Sequence, residues 1–244
     1  MGLIESEYLP RITMLLFFIV DTSGSMDGPK IGAVNTAIRE VIPEIRLLDN
    51  ADALIKIAAL EFSSGTRWIT ANGPVEAGQF NWNNIDAAGT TDFGAMCKAL
   101  NEKLSTKAFM AEATGSYAPA LFLLSDGDPT DDWQSGLAVL KQNNWFKNGV
   151  RVAIAIGDEA NKDVLEAFTG TKETVVEVHN SATLMKMIKF VSVRASQVAS
   201  KSSNAGDPSQ SHTGDQGKQD ELGKKIGDFV GDLKSDPAAD VEEY

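Results

Sequence analysis

Residues 14–26 read MLLFFIVDTSGSM: seven apolar residues in a row, then one carboxylate, three hydroxyls and a glycine within five positions. A run of seven is far short of the roughly 20 apolar residues that a membrane helix needs. It predicts a strand covered by helices on both faces, as in parallel α/β sheets. Ligands of open α/β sheets bind beyond the carboxyl ends of the strands. Asp21, Ser23 and Ser25 are therefore expected to project from a tight loop at that edge, with Gly24 permitting the turn.

Working outward, four more short apolar runs follow: 54–60 (LIKIAAL), 120–124 (ALFLL), 150–156 (VRVAIAI) and 174–178 (TVVEV). Helical patterns separate them. Residues 30–48 carry Ile31, Val34, Ala37, Ile38, Val41, Ile42 and Ile45 at spacings of three and four, and 93–104, 133–144, 162–168 and 182–197 are the other predicted helices. Residues 67–69 add an antiparallel strand behind the second run, turned by Ser63, Ser64 and Gly65. This alternation predicts one α/β domain with a doubly wound, Rossmann-like, mostly parallel sheet and helices on both faces. No internal repeat is visible.

The composition changes near Ser196. Residues 1–199 form the predicted domain, and 200–244 a predicted acidic, flexible tail with five lysines against ten acidic residues from Lys201 onward. Within the tail Leu222, Ile226, Phe229, Val230 and Leu233 share one helical face near 220–233, beside a stripe of Gly223, Gly227 and Gly231. Each glycine costs about 1 kcal/mol of helix propensity. The segment is thus weakly helical alone and able to dock closely on its own domain or on another protein. The acidic terminus, Asp240 to Glu243, could also reach the cation site of its own or a neighbouring molecule.

Of the 244 residues, 43% are hydrophobic and 23% charged, as in ordinary globular proteins. The net charge of −12, with no cluster of Lys and Arg, argues against a nucleic-acid surface. Cys97 is a lone cysteine in an apolar helical stretch, which excludes an internal disulfide and reads as buried and inert; with only His179 and His212 no zinc cluster assembles. Glu5 and Glu7 precede the first apolar run where a signal peptide needs basic residues, and no small-residue cleavage site follows. A cytoplasmic protein with no membrane association is expected. The four tryptophans read as packing residues, with Trp82, in the polar segment 79–84, the candidate exposed contact.

Three segments carry oxygen donors. Besides Asp21, Ser23 and Ser25, the segment GTTDFG at 89–94 offers Thr90 and Thr91, and LLSDGD at 123–128 puts Asp126 at the end of an apolar strand. Carboxylates and hydroxyls are hard ligands suited to Mg2+ or Mn2+, with Ca2+ a further candidate. In this order the three loops resemble the metal-ion-dependent adhesion site (MIDAS) of von Willebrand factor A (VWA) domains, D-x-S-x-S then T then D, over about residues 12–198. The resemblance implies that Asp21, Ser23 and Ser25 form the first motif, that Thr91 is the family threonine with Thr90 as the alternative, and that Asp126 is the distal acid joined to the metal through water. It implies a metal-dependent interaction module, not an enzyme, in which a protein partner supplies an Asp or Glu to the metal. The loops also resemble small bacterial VWA proteins of the tellurium-resistance-associated group, which implies a stress-response or signalling role with kinase- or phosphatase-like partners.

Other readings compete. Ser25 could cap the helix begun by Pro29 and Lys30, leaving an ordinary strand–turn–helix with no metal affinity. Asp128, Asp131 and Asp132 read as a solvated loop capping the following helix or as part of the site's rim, and Asp92 and Asp27 as near-site candidates. The functional alternative is a metal-dependent phosphoryl-transfer enzyme of haloacid-dehalogenase-like type, but those use D-x-D and here the third position is Ser23. A nucleotide-binding switch lacks its phosphate loop.

Overall fold

A computed structural model describes residues 12–49, 53–111, 118–158, 160–200 and 214–234. Strand β1 (Ile12–Asp21) lies at the centre of a seven-stranded sheet, flanked in parallel by β2 (Ala53–Ser63) and β5 (Ala120–Ser125). β6 (Val150–Ile156) and β7 (Val175–Val178) continue in parallel beyond β5. The short strands β3 (Gly65–Trp68) and β4 (Val75–Glu76) both pair antiparallel with the outer side of β2. The chain therefore leaves β1 toward β2 and later returns to its other side at β5. That reversal opens a crevice between the carboxyl ends of β1 and β5, the usual ligand position in such sheets.

The apolar run of β1 divides by parity. Met14, Leu16, Phe18 and Val20 pack on one face, with α1 (Pro29–Leu48), α6 (Ser181–Ser200) and α7 (Gly214–Lys234). Leu15, Phe17 and Ile19 pack on the other, with α2 (Phe93–Lys103), α3 (Trp133–Leu140), α4 (Asn144–Asn148) and α5 (Lys162–Thr169). A strand buried on both faces has no position for a polar residue, which is why the run is unbroken.

The predicted strands and helices form, with three differences. The expected helix at 133–144 is two helices, because Leu140 ends the first and the Asn143 side chain accepts from the backbone N–H of Trp145 (2.8 Å) and Phe146 (3.3 Å) to begin the second. Strand β4 had no apolar signal. Trp82 is buried rather than exposed: its Nε1–H donates to Asn35 Oδ1 (2.9 Å), and Phe80 and Ile85 enter the core beside it. Cys97 is fully buried, and burial pushes its thiol pKa up, as an inert thiol requires.

Helix α7 runs from Gly214, earlier than the apolar stripe begins. Leu222 and Ile226 are buried, Phe229 stacks on Phe190 of α6, and a Cβ on Gly223 would stand 2.8 Å from Glu173 Cβ. Gly227 and Gly231 face open space, so one glycine of the stripe serves the close approach. The linker at 201–213 and the acidic terminus, Asp240 to Glu243, lie outside the described residues.

Candidate metal centre

Two of the three loops begin at a strand end, and the third is held in place from α1. Asp21 is the last residue of β1, and the turn after it is a single 3-10 turn, Gly24–Met26. Asp126 follows β5 directly. Thr91 ends the long segment 77–92, which has little regular structure of its own and is pinned from α1. Arg46 donates to the carbonyls of Ala77 (2.9 Å) and Phe80 (2.7 Å), and buried Asn35 both accepts from Ile85 N–H (3.0 Å) and donates to Ile85 C=O (2.9 Å). Backbone bonds then tie this segment to the first loop: Ala88 N–H to Thr22 C=O (2.8 Å) and Gly24 N–H to Gly89 C=O (3.0 Å). Gly89 has a φ of +89°, and a Cβ there would lie 2.5 Å from Ser64 Oγ, so only glycine fits.

The oxygens converge. Asp21 Oδ1 accepts from Ser23 N–H (2.8 Å) and its Oδ2 from the Ser125 hydroxyl (2.6 Å). Ser23 Oγ and Ser25 Oγ are 3.0 Å apart, and Ser25 Oγ donates to Asp126 Oδ1 (2.7 Å). A Cβ built on Gly127 would stand 3.2 Å from Ser25 Oγ, 3.3 Å from Thr91 Oγ1 and 3.8 Å from Asp21 Oδ2, so oxygens of the first two loops surround one small space that the glycine of the third leaves open. Asp21, Ser23, Thr91 and Asp126 are buried, whereas Ser25 is exposed. Ser25, Thr91 and Asp126, with Lys30, Gly127 and Asp128, border an open cleft of about 470 Å3 at the crevice.

The two threonines part company. The Thr90 hydroxyl turns away, sharing a hydrogen with Ser64 Oγ (2.9 Å) and donating to Asp92 Oδ1 (3.1 Å), while Thr91 faces the cluster. Ser25 does not cap α1: Gly28 holds the N-cap position, without a side-chain bond. Asp132 caps α3 by accepting from Ser135 N–H (3.3 Å), but Asp131 caps α2 instead, accepting from Gly94 (2.8 Å) and Ala95 (2.9 Å). Asp92 accepts from Gly65 N–H (2.8 Å) and from the Thr130 hydroxyl (3.2 Å), so it braces the loops from outside the cluster. Asp128 accepts from the Asn161 side-chain amide at the rim.

Two contacts had no local sequence signal. Ser125, 104 positions from Asp21, orients its carboxylate, and Lys30 Nζ lies 2.5 Å from Asp126 Oδ2. The hydroxyl beside Asp126 and the lysine at the helix start were both visible, but only the fold shows what they face.

The electrostatics favour a cation. Burial pushes the Asp21 carboxyl above its ordinary pKa; the hydrogen bonds from Ser125 and Ser23 pull it back, and the nearby Asp126 charge adds to the rise. A buried carboxylate met only by neutral donors gains from a positive ion at the open space beside it. Among the described residues no three His, Cys, Asp or Glu side chains gather as a metal site. Two carboxylates with serine and threonine hydroxyls instead make an all-oxygen donor set, which fits a hard dication retaining some water. No second carboxylate flanks Asp21 at Ser23, so the acid pair of a D-x-D phosphatase is missing.

The family model for the von Willebrand factor type A domain matches residues 16–190. The chain belongs to this family. Inter-alpha-trypsin inhibitor heavy chain H1 of Bos taurus is 20% identical over 183 residues, covering 71% of this chain and 20% of that protein. The chain thus spans about one-fifth of the length of that curated relative. Among solved structures, a von Willebrand factor type A protein from Catenulispora acidiphila superposes with a TM-score of 0.56 at 18% identity, over 76% of this chain and 43% of the other. Proximal thread matrix protein 1 from the mussel byssus, solved with a zinc-occupied MIDAS motif, gives 0.51 at 16% identity, over 74% and 46%. The VWA fold is typically that of a metal-dependent protein-interaction module, and nothing in these likenesses supports the phosphoryl-transfer alternative. No helix among the described residues is long and apolar enough to cross a membrane.

Proposed function

We propose that this VWA domain binds a divalent cation, Mg2+ or Mn2+ with Ca2+ as a looser substitute, and through it captures an Asp or Glu side chain of a partner protein. The observation that carries the reading is the convergence of Asp21 Oδ2, Ser25 Oγ and Thr91 Oγ1 on the space above Gly127. Asp21, Ser23, Ser25 and Thr91 would hold the ion. Asp126, whose Oδ1 and Oδ2 are already engaged by Ser25 and Lys30, would act through water. The bound ion supplies a Lewis-acidic position open to a carboxylate. The chain's own part is to orient its hydroxyls, shield Asp21 from solvent and present the cleft. The domain does this without turnover. A role in bacterial stress response or signalling, with kinase- or phosphatase-like partners, rests on the likeness of the DTSGSM and LLSDGDPTD loops to tellurium-resistance-associated proteins alone.

Calorimetric titration of the metal-free chain with Mn2+ tests the reading, with capture of partners from extract with and without EDTA as a second step. One-to-one uptake that is lost in Asp21→Ala, with no hydrolysis of phosphate esters, is expected. A folded wild-type chain that takes up no Mn2+, Mg2+ or Ca2+ overturns it.

A further inference from the structure

Lys30 is placed against its local interest. It is the second residue of α1, whose first turn holds no acidic side chain, so its positive charge sits at the positive end of the helix dipole. Such a placement costs stability unless something else holds the ammonium. Its stem packs over Gly157 at the end of β6, where a Cβ would lie 3.3 Å from Lys30 Cε and 3.6 Å from Nζ. Through that gap the ammonium reaches Asp126 Oδ2 at 2.5 Å and borders the same cleft as Ser25 and Thr91.

We propose that Lys30 is a positioning residue that sets the charge of the cation site, making the loaded site one that seeks an acid. This rests on the cation-binding reading above. Ser25 holds one oxygen of Asp126 and Lys30 the other, so Asp126 is kept back from the ion. The charges also decide the outcome. Asp21 and Asp126 would neutralise a dication completely; Lys30 returns one positive charge, which an incoming carboxylate then cancels. Asp128, exposed at the rim, is screened by water and counts for less. Lys30 thereby lowers affinity for the ion and raises affinity of the loaded site for an acid. A residue that merely supported the fold would move both in one direction.

The test uses the full chain and its Lys30→Met, Lys30→Gln and Lys30→Arg variants. Mn2+ alone is titrated first by calorimetry, and acetate is then added to the Mn2+-loaded protein and followed by the Mn2+ paramagnetic resonance signal. The two neutral variants are expected to bind Mn2+ on the order of tenfold more tightly, because a nearby like charge is gone, and to need several-fold more acetate for the same spectral change. Lys30→Arg should match the wild type in both. Neutral variants that melt like the wild type yet bind Mn2+ no more tightly, or respond to acetate equally, overturn the proposal; so does loss of the fold in both, which would make Lys30 structural. A wild-type chain without Mn2+ affinity overturns the cation-binding reading itself.

Discussion

At the carboxyl ends of β1 and β5 three loops meet through oxygen donors, while at the start of β6 the added helix α7, beyond its apolar packing, meets the strand edge through a single buried amide. β7 begins opposite Ala153, so the backbone of Arg151 on that side has no strand partner. Gln219 of α7 takes its place: Oε1 accepts from Arg151 N–H (3.1 Å), and Nε2 donates to Arg151 C=O (2.8 Å), with Thr169 C=O (3.3 Å) and Thr174 Oγ1 (3.4 Å) nearby. Every polar atom of that amide is met by a neutral partner. Asp21 is as deeply buried, but its charge meets only hydroxyl and backbone donors. A satisfied buried amide fastens a structure, whereas a buried charge without a counter-charge is suited to a ligand.

That contrast predicts opposite responses to substitution, and the largest belongs to Asp21. Asp21→Ala should weaken Mn2+ binding by at least about a hundredfold, since ligands whose mere supporting contacts matter 10- to 100-fold cannot be dispensable themselves. In the metal-free protein the same change should leave the melting temperature equal or higher, because a carboxylate that burial disfavours has been removed. Added Mn2+ at a hundred times its dissociation constant should stabilise the wild type by about 2.7 kcal/mol and the variant not at all. A large loss of metal-free stability in Asp21→Ala would erase the distinction between the two regions.

Gln219→Ala should show the reverse pattern. Removing the amide's bonds to Arg151 N–H and C=O costs roughly 2 kcal/mol, read as lower stability or faster amide exchange along 214–234, with Mn2+ affinity unchanged. The docking free energy of α7 sets the ceiling, since the helix can release instead of holding an unpaired strand edge. A change in Mn2+ affinity would mean that the two regions are coupled. Ser125→Ala lies between the cases: it removes one neutral donor from Asp21 and should cost about tenfold in Mn2+ affinity, with little change in melting.

The fold was legible because its signals are local. A short run such as MLLFFIV, set among alternating helical patterns, reads as a strand buried on both faces, and the helix at Pro29–Leu48 announces itself by spacing. The donor loops were legible for the same reason, as each follows or opens a recognisable element. Their supports were not. Lys30 reaches Asp126 across 96 positions, Trp82 reaches Asn35 across 47, and Asp131 caps the preceding helix α2 rather than the one that follows it. A polar segment around Trp82 read as exposed because nothing nearby in sequence indicates that a buried asparagine on α1 will satisfy it. Composition separates inside from outside, but long-range hydrogen bonds decide which polar residues go inside.

The smallest expected effect separates neighbours. Thr90 and Thr91 have the same side chain, one position apart, and the resemblance favours Thr91 as the donor with Thr90 as the alternative. Segment 77–92 delivers them in opposite directions: Thr130 accepts from Thr91 N–H (3.0 Å) and its own N–H donates to Thr91 C=O (2.8 Å), which locks the Thr91 hydroxyl toward Gly127. Thr90 is bound to Ser64 and Asp92 on the outer side. Valine preserves the shape of threonine and removes only the oxygen. Thr91→Val should therefore weaken Mn2+ binding by about fivefold, the loss of one neutral ligand that water partly replaces, while Thr90→Val changes it by less than about twofold. If Thr90→Val carried the larger loss, the second loop would have to turn over when the ion binds, and the rigid cradle described by the Thr91–Thr130 pair would be the wrong account of how this site is preorganised.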